Sequence, residues 1–76
     1  MSAYLVRLVR QEGITSIHFV PSMLPFFLAE PGVEDCRTLR RVFVSGEALP
    51  WEIEQRCLEV IQAPLWNLYG PTEAAV

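Results

Sequence analysis

The chain has 76 residues, 51% of them hydrophobic and eight of them aromatic, with a formal net charge of −3. A domain this short buries only about 60% of its unfolded surface, so so much apolar material excludes a disordered tail and implies packing against something beyond the chain. All six basic residues are arginines and form no stripe, which argues against nucleic-acid binding, and no stretch approaches the ~20 apolar residues of a membrane span.

Taken in order, Ser2 is placed to cap a helix that runs to about Glu12, with Leu5, Leu8 and Val9 as its apolar face and Gly13 as its stop. Arg7 and Arg10 interrupt this segment, so it does not read as a signal peptide. ITSIHFV (14–20) is rich in β-branched residues and predicts a strand, which Pro21 breaks. SMLPFFLAE predicts a short helix that tolerates Pro25 only in its first turn, and Pro31 and Gly32 close it. RRVFVS (40–45) predicts a second strand ended by Gly46. Pro50 suits the start of a third helix over 51–62, where Ile53, Cys57, Val60 and Ile61 share one face. LWNLY (65–69) predicts a third strand leading into a Gly70-Pro71 turn. The order α-β-α-β-α-β implies an α/β layer with a parallel sheet. Cys36 and Cys57, 21 positions apart with no histidine nearby, read as two reduced cysteines of a cytoplasmic protein.

In an open parallel sheet, ligands bind beyond the carboxyl ends of the strands. The unusual residues gather there: His18 on the first strand, Phe43, Ser45 and Gly46 on the second, Asn67, Leu68 and Tyr69 on the third, then Thr72 and Glu73. Each has a plainer reading. His18 fits a core histidine bonded to backbone, Ser45 and Gly46 a strand end, Gly70-Pro71 a turn, and Glu73 a solvated carboxylate or a helix cap. Their convergence on one edge carries more than any single residue.

The string NLYGPTE (67–73) resembles the signature loop of adenylation domains from nonribosomal peptide synthetases, within the superfamily of AMP-dependent synthetases and ligases. RRVFVSGEAL resembles the strand-and-glycine segment of that family, and HFVPSML its earlier strand-to-helix corner. The motifs occur in the family's order and the resemblance covers essentially all 76 residues.

The resemblance implies activation of an amino acid by ATP as aminoacyl-AMP, for transfer to the phosphopantetheine thiol of a partner carrier-protein domain. It implies that Tyr69 offers adenine a flat contact, with Asn67 and the backbone of Gly46, Glu47 and Ala48 bordering the base. Thr72 would donate to the α-phosphate region and Glu73 would hold Mg²⁺, a hard cation suited to carboxylate oxygen. His18, Phe43, Ser45, Leu68 and Val76 match positions that line the amino-acid pocket, and their combination is similar to that of serine-activating domains. Two hydrogen-bonding groups beside two volume-filling ones suit a small hydroxylated side chain, so L-serine is the expected substrate.

The family's Gly-rich Ser/Thr phosphate loop, its ribose aspartate and its C-terminal catalytic lysine have no counterpart here, and the chain contains no lysine. Residues 1–76 are therefore expected to be a central slice of the large N-terminal subdomain, with exposed apolar helix faces, poor solubility and no activity alone. Two alternatives stay open: an acyl- or aryl-CoA ligase of the same superfamily, and a non-catalytic small remnant or interaction protein.

Overall fold

A computed structural model of the chain describes residues 1–68. Helix α1 spans Ser2–Glu12 and ends at Gly13, whose φ of 66° lets its N–H return to the Val9 carbonyl. Ser2 does not cap it: Met1 occupies that position and no side chain bonds the first turn. The expected apolar face is also rotated. Val6 and Val9 are the buried pair, Leu5 packs at their edge and Leu8 is only half-buried. Three residues apart, Val6 and Val9 sit one above the other on the helix, and the core lies under them.

Strand β1 (Ser16–Phe19) follows, then a 3₁₀ turn over Pro21–Met23 that leads into α2 (Leu24–Leu28). The helix predicted over 22–30 is thus a turn plus a five-residue helix. Pro25 does stand in its first turn. A second 3₁₀ turn, Val33–Asp35, starts from Gly32 at φ 91°. Strand β2 is Arg41–Val44, α3 is Trp51–Ile61 and β3 is Leu65–Asn67. Pro50 stands at the N-cap of α3 with Glu52 and Glu54 in the first turn, where carboxylates favour the positive end of the helix dipole.

The three strands are parallel in the order β1-β2-β3, as the alternation of elements requires. Register aligns His18 with Phe43 and Phe19 with Val44, then Phe43 with Trp66 and Val44 with Asn67. The entry to β2 is held by the Arg40 and Arg41 N–H groups, both donating to the Thr15 carbonyl, and by the Thr38 hydroxyl donating to the Ile14 carbonyl at 2.7 Å. At the other end the ladder continues one step further, with Ser45 N–H donating to Phe19 O and Leu68 N–H to Val44 O. The predicted third strand therefore holds as far as Leu68.

Alternation along each strand sends Phe19, Val42 and Val44 into the core, with Ile17 and Leu65 packed at its margin. Leu24, Val44 and Cys57 are completely buried there, and the Phe19 and Phe27 rings stand 4.9 Å apart. Full burial of side chains this size stabilises by roughly 1.5–3 kcal/mol each. The opposite sheet face carries Ser16, His18, Arg41, Phe43 and Trp66, and none of these is buried. Parallel sheets are ordinarily covered on both faces; the helices described here cover one.

Candidate functional site

The uncovered face is where the expected pocket residues meet. His18 and Phe43 are register partners on neighbouring strands, their rings 6.4 Å apart and tilted by 55°. Ser45, two positions beyond Phe43, returns to the same face by strand alternation. Its hydroxyl oxygen lies 2.6 Å from His18 Nε2, a hydrogen bond across 27 positions of sequence. Leu68 bonds to the end of β2 through its backbone and leaves 41% of its surface open. His18, Phe43, Ser45 and Leu68 thus share one face as well as one end of the sheet. The His18 bond goes to a side chain, not to backbone as the plainer reading had it.

The residues expected around the nucleotide lie just beyond the strand ends. Gly46 takes φ 91°, a region that L side chains enter only under strain. This turns the chain so that Glu47 faces back toward the end of β1, where its carboxylate accepts the Ser22 N–H at 3.0 Å and the Ser22 hydroxyl at 3.3 Å. Gly46, Glu47 and Ala48 are all exposed. Asn67 closes β3, and alternation places it on the other side of the strand from Trp66 and Leu68. Tyr69, Thr72, Glu73 and Val76 lie outside the described residues. Among the described residues no group of three histidine, cysteine or carboxylate side chains suits a metal ion.

A concavity of about 800 Å³ lies elsewhere, lined by Leu28, Leu39, Arg37, Arg56 and Gln62 among others. Leu39 precedes β2 and Gln62 follows α3, so it sits toward the amino ends of the strands. None of the expected site residues among those described lines it.

A sequence model described as AMP-binding enzyme matches residues 1–76. The chain belongs to the AMP-binding enzyme family.

Nonribosomal peptide synthetases are among the proteins it resembles. The chain is 47% identical to tyrocidine synthase 3 of Brevibacillus parabrevis over 74 residues, covering 97% of this chain and 1% of that protein. It is 52% identical to enterobactin synthase component F of Escherichia coli (strain K12) over 70 residues, covering 87% of this chain and 5% of that protein. The structure matches the nonribosomal peptide synthetase FmoA3 with a TM-score of 0.80 and 26% identity, over 95% of this chain and 8% of that one. The chain thus spans only a few per cent of these relatives' length, and it corresponds to part of their adenylation domain. The α/β reading and the adenylation-domain resemblance both hold.

Three residues on this face or at its edge were missed in the sequence. Trp66 is the register partner of Phe43 and lies 48% exposed on the pocket face. Val20 is 44% exposed where β1 ends, and Ser22 anchors Glu47. Alternation within LWNLY already put Trp66 two positions before Leu68. Nothing in the sequence paired Ser22 with Glu47, which are 25 positions apart.

Proposed function

We propose that residues 1–76 form the part of a nonribosomal peptide synthetase adenylation domain that reads the amino-acid side chain, and that the amino acid is L-serine. The hydrogen bond between His18 and Ser45 carries this reading. It sets a polar pair beside the Phe43 ring on an open face, where a substrate hydroxyl can join an existing donor–acceptor chain. A site built to bond a hydroxyl discriminates strongly against an analogue without one, because its own polar groups are then left unpaired. Phe43 and Leu68 limit the remaining volume.

In the complete domain, ATP supplies the phosphate to which the amino-acid carboxylate is joined, and Mg²⁺ offsets phosphate charge. Among the described residues, the exposed backbone at 46–48 fits an approaching base: a Cβ at Gly46 would meet only Val20 Cγ1, at 3.9 Å, so the surface there is open. Tyr69, Thr72 and Glu73 are assigned to adenine, the α-phosphate and Mg²⁺ by family resemblance, and Val76 to the side-chain pocket. The activated amino acid would then pass to a carrier-domain thiol.

The test is ATP–pyrophosphate exchange by a complete adenylation domain carrying residues 1–76. Serine is expected to drive exchange well above threonine, alanine or cysteine. Preference for alanine or for a large apolar amino acid overturns the serine assignment, and turnover of fatty or aromatic acids alone points to an acyl- or aryl-CoA ligase.

A further inference from the structure

We propose that Glu47 is a positioning residue for the nucleotide, acting by fastening the loop at 46–48 to the corner that follows β1. The inference rests on the adenylation reading and adds to it a side-chain role for Glu47, whose backbone alone that reading used.

Three observations carry it. The first is that the Glu47 carboxylate makes two bonds to one residue, one oxygen taking the Ser22 N–H and the other the Ser22 hydroxyl. The second is that the Ser22 N–H needs this partner. In the turn over Pro21–Met23, the Met23 N–H returns to Val20 O and the Leu24 N–H to Pro21 O. Ser22 lies too near the start for a backbone acceptor behind it, as the first amides of any helical turn do. An ionised acceptor for such a donor makes a stronger bond than a neutral one.

The third is where the tie runs. Gly46, at φ 91°, bends the chain just beyond β2, and a bend with no side chain of its own has little to hold it. Glu47 is the next residue, and its anchor lies four positions beyond His18. The tie therefore couples the loop assigned to the base to the strand end that carries the amino-acid pocket. Freed from Ser22, the loop would sample other positions, and a ligand that needs one of them binds more weakly by the fraction of time that position is held.

The experiment uses a complete adenylation domain carrying residues 1–76 and measures Kd by calorimetry, separately for ATP–Mg²⁺ and for serine, in Glu47→Ala, Glu47→Gln, Ser22→Ala and the double variant. Loss of two charge-assisted bonds at an exposed position is expected to weaken ATP about tenfold in Glu47→Ala, with serine affinity changed less than about twofold. Ser22→Ala removes one bond and leaves the N–H, so about a threefold loss is expected. Glu47→Gln, with one carbonyl oxygen left to accept, falls between the two. The double variant is expected to be no weaker than Glu47→Ala, since both changes sever one tie.

ATP affinity within twofold of wild type in Glu47→Ala overturns the proposal. So does equal weakening of ATP and serine, or losses that multiply in the double variant. Should Glu47→Ala not fold, Glu47→Gln and Ser22→Ala decide the matter by the same split. A wild-type domain that binds ATP but not serine sinks only the substrate assignment, and the Glu47 comparison still stands on ATP. One that binds no ATP sinks both.

Discussion

On the proposed reading, substrate choice turns on the Ser45 hydroxyl, which lies 2.6 Å from His18 Nε2. Ser45→Ala in a complete domain is expected to lower kcat/KM for serine about tenfold, the worth of one hydrogen bond at a binding site, and to narrow the gap to alanine. Exchange assays with both amino acids would show it, and an unchanged serine-to-alanine ratio would remove Ser45 from the site. The two cysteines behave in the opposite way, as inert core. Burial, with a smaller contribution from the Glu54 charge, pushes the Cys57 thiol up to about 11. Burial also raises Cys36, whose thiol points at the Val6 carbonyl. Because the folded form holds both protons more tightly, their contribution to stability is complete below pH 9, the ordinary thiol value, and that of Cys57 is lost as pH rises through about 11. Peptide-resolved alkylation at pH 8 is expected to leave both thiols unmodified until denaturant opens the fold; rapid native labelling of Cys57 would contradict its burial. At this scale the sequence spoke through residue type. His18, Phe43 and Ser45 stood out as polar and aromatic side chains at strand ends, and their grouping with Leu68 came from the family resemblance. The partnership of Ser22 and Glu47 was not, because a contact over 25 positions depends on how Gly46 turns.

Elements were legible to the extent that their stop signals were chemical. Gly13, Pro25, Gly46 and Pro50 all stand where their backbone preferences put them. The errors came where packing overruled local pattern: Val6 rather than Leu8 centres α1, and α2 is cut to Leu24–Leu28. The end of α3, expected at 62, falls at Ile61 although no glycine marks it. Its C-cap is Gln62 at φ 60°, a left-handed position usually given to glycine. Two substitutions with opposite signs follow. Gln62→Gly is expected to stabilise by about 0.5–1 kcal/mol by relieving that strain. Gly46→Ala is expected to destabilise by about 1–2 kcal/mol. Its cost is conformational and not steric, because the new methyl would find only Val20 Cγ1 at 3.9 Å. Urea melts of a complete domain carrying each change would measure both. A neutral Gly46→Ala would mean that the loop relaxes to negative φ without loss, and the nucleotide-binding assay for Glu47 should then be repeated in that background.

For the molecule as a whole, the deciding feature is a sheet finished on one side only. The core accounts for Val42 and Val44, yet Val20, Trp66 and Leu68 stay between 41% and 48% exposed around the half-buried Phe43. Composition foretold surplus apolar surface but located it on the helices. Phe26 on α2 and Trp51 on α3 do stand out at 65% and 67%, while the sheet face could be recognised only once the register set Trp66 beside Phe43. A contiguous aromatic and aliphatic patch flanked by strand ends attracts either the remainder of a larger domain or another copy of itself. The 76-residue chain by itself is therefore expected to sediment as oligomers at tens of micromolar and to bind a hydrophobic dye. Trp66→Glu places a charge at the middle of the patch and is expected to restore monomer, whereas Phe26→Glu, on an element packed against the other sheet face, is expected to do less. If sedimentation velocity finds the unmodified chain monomeric, with cooperative unfolding and no dye binding, the open face needs no covering. The sheet would then be complete with helices on one side, and its exposed residues would no longer imply a pocket shared with the rest of an adenylation domain.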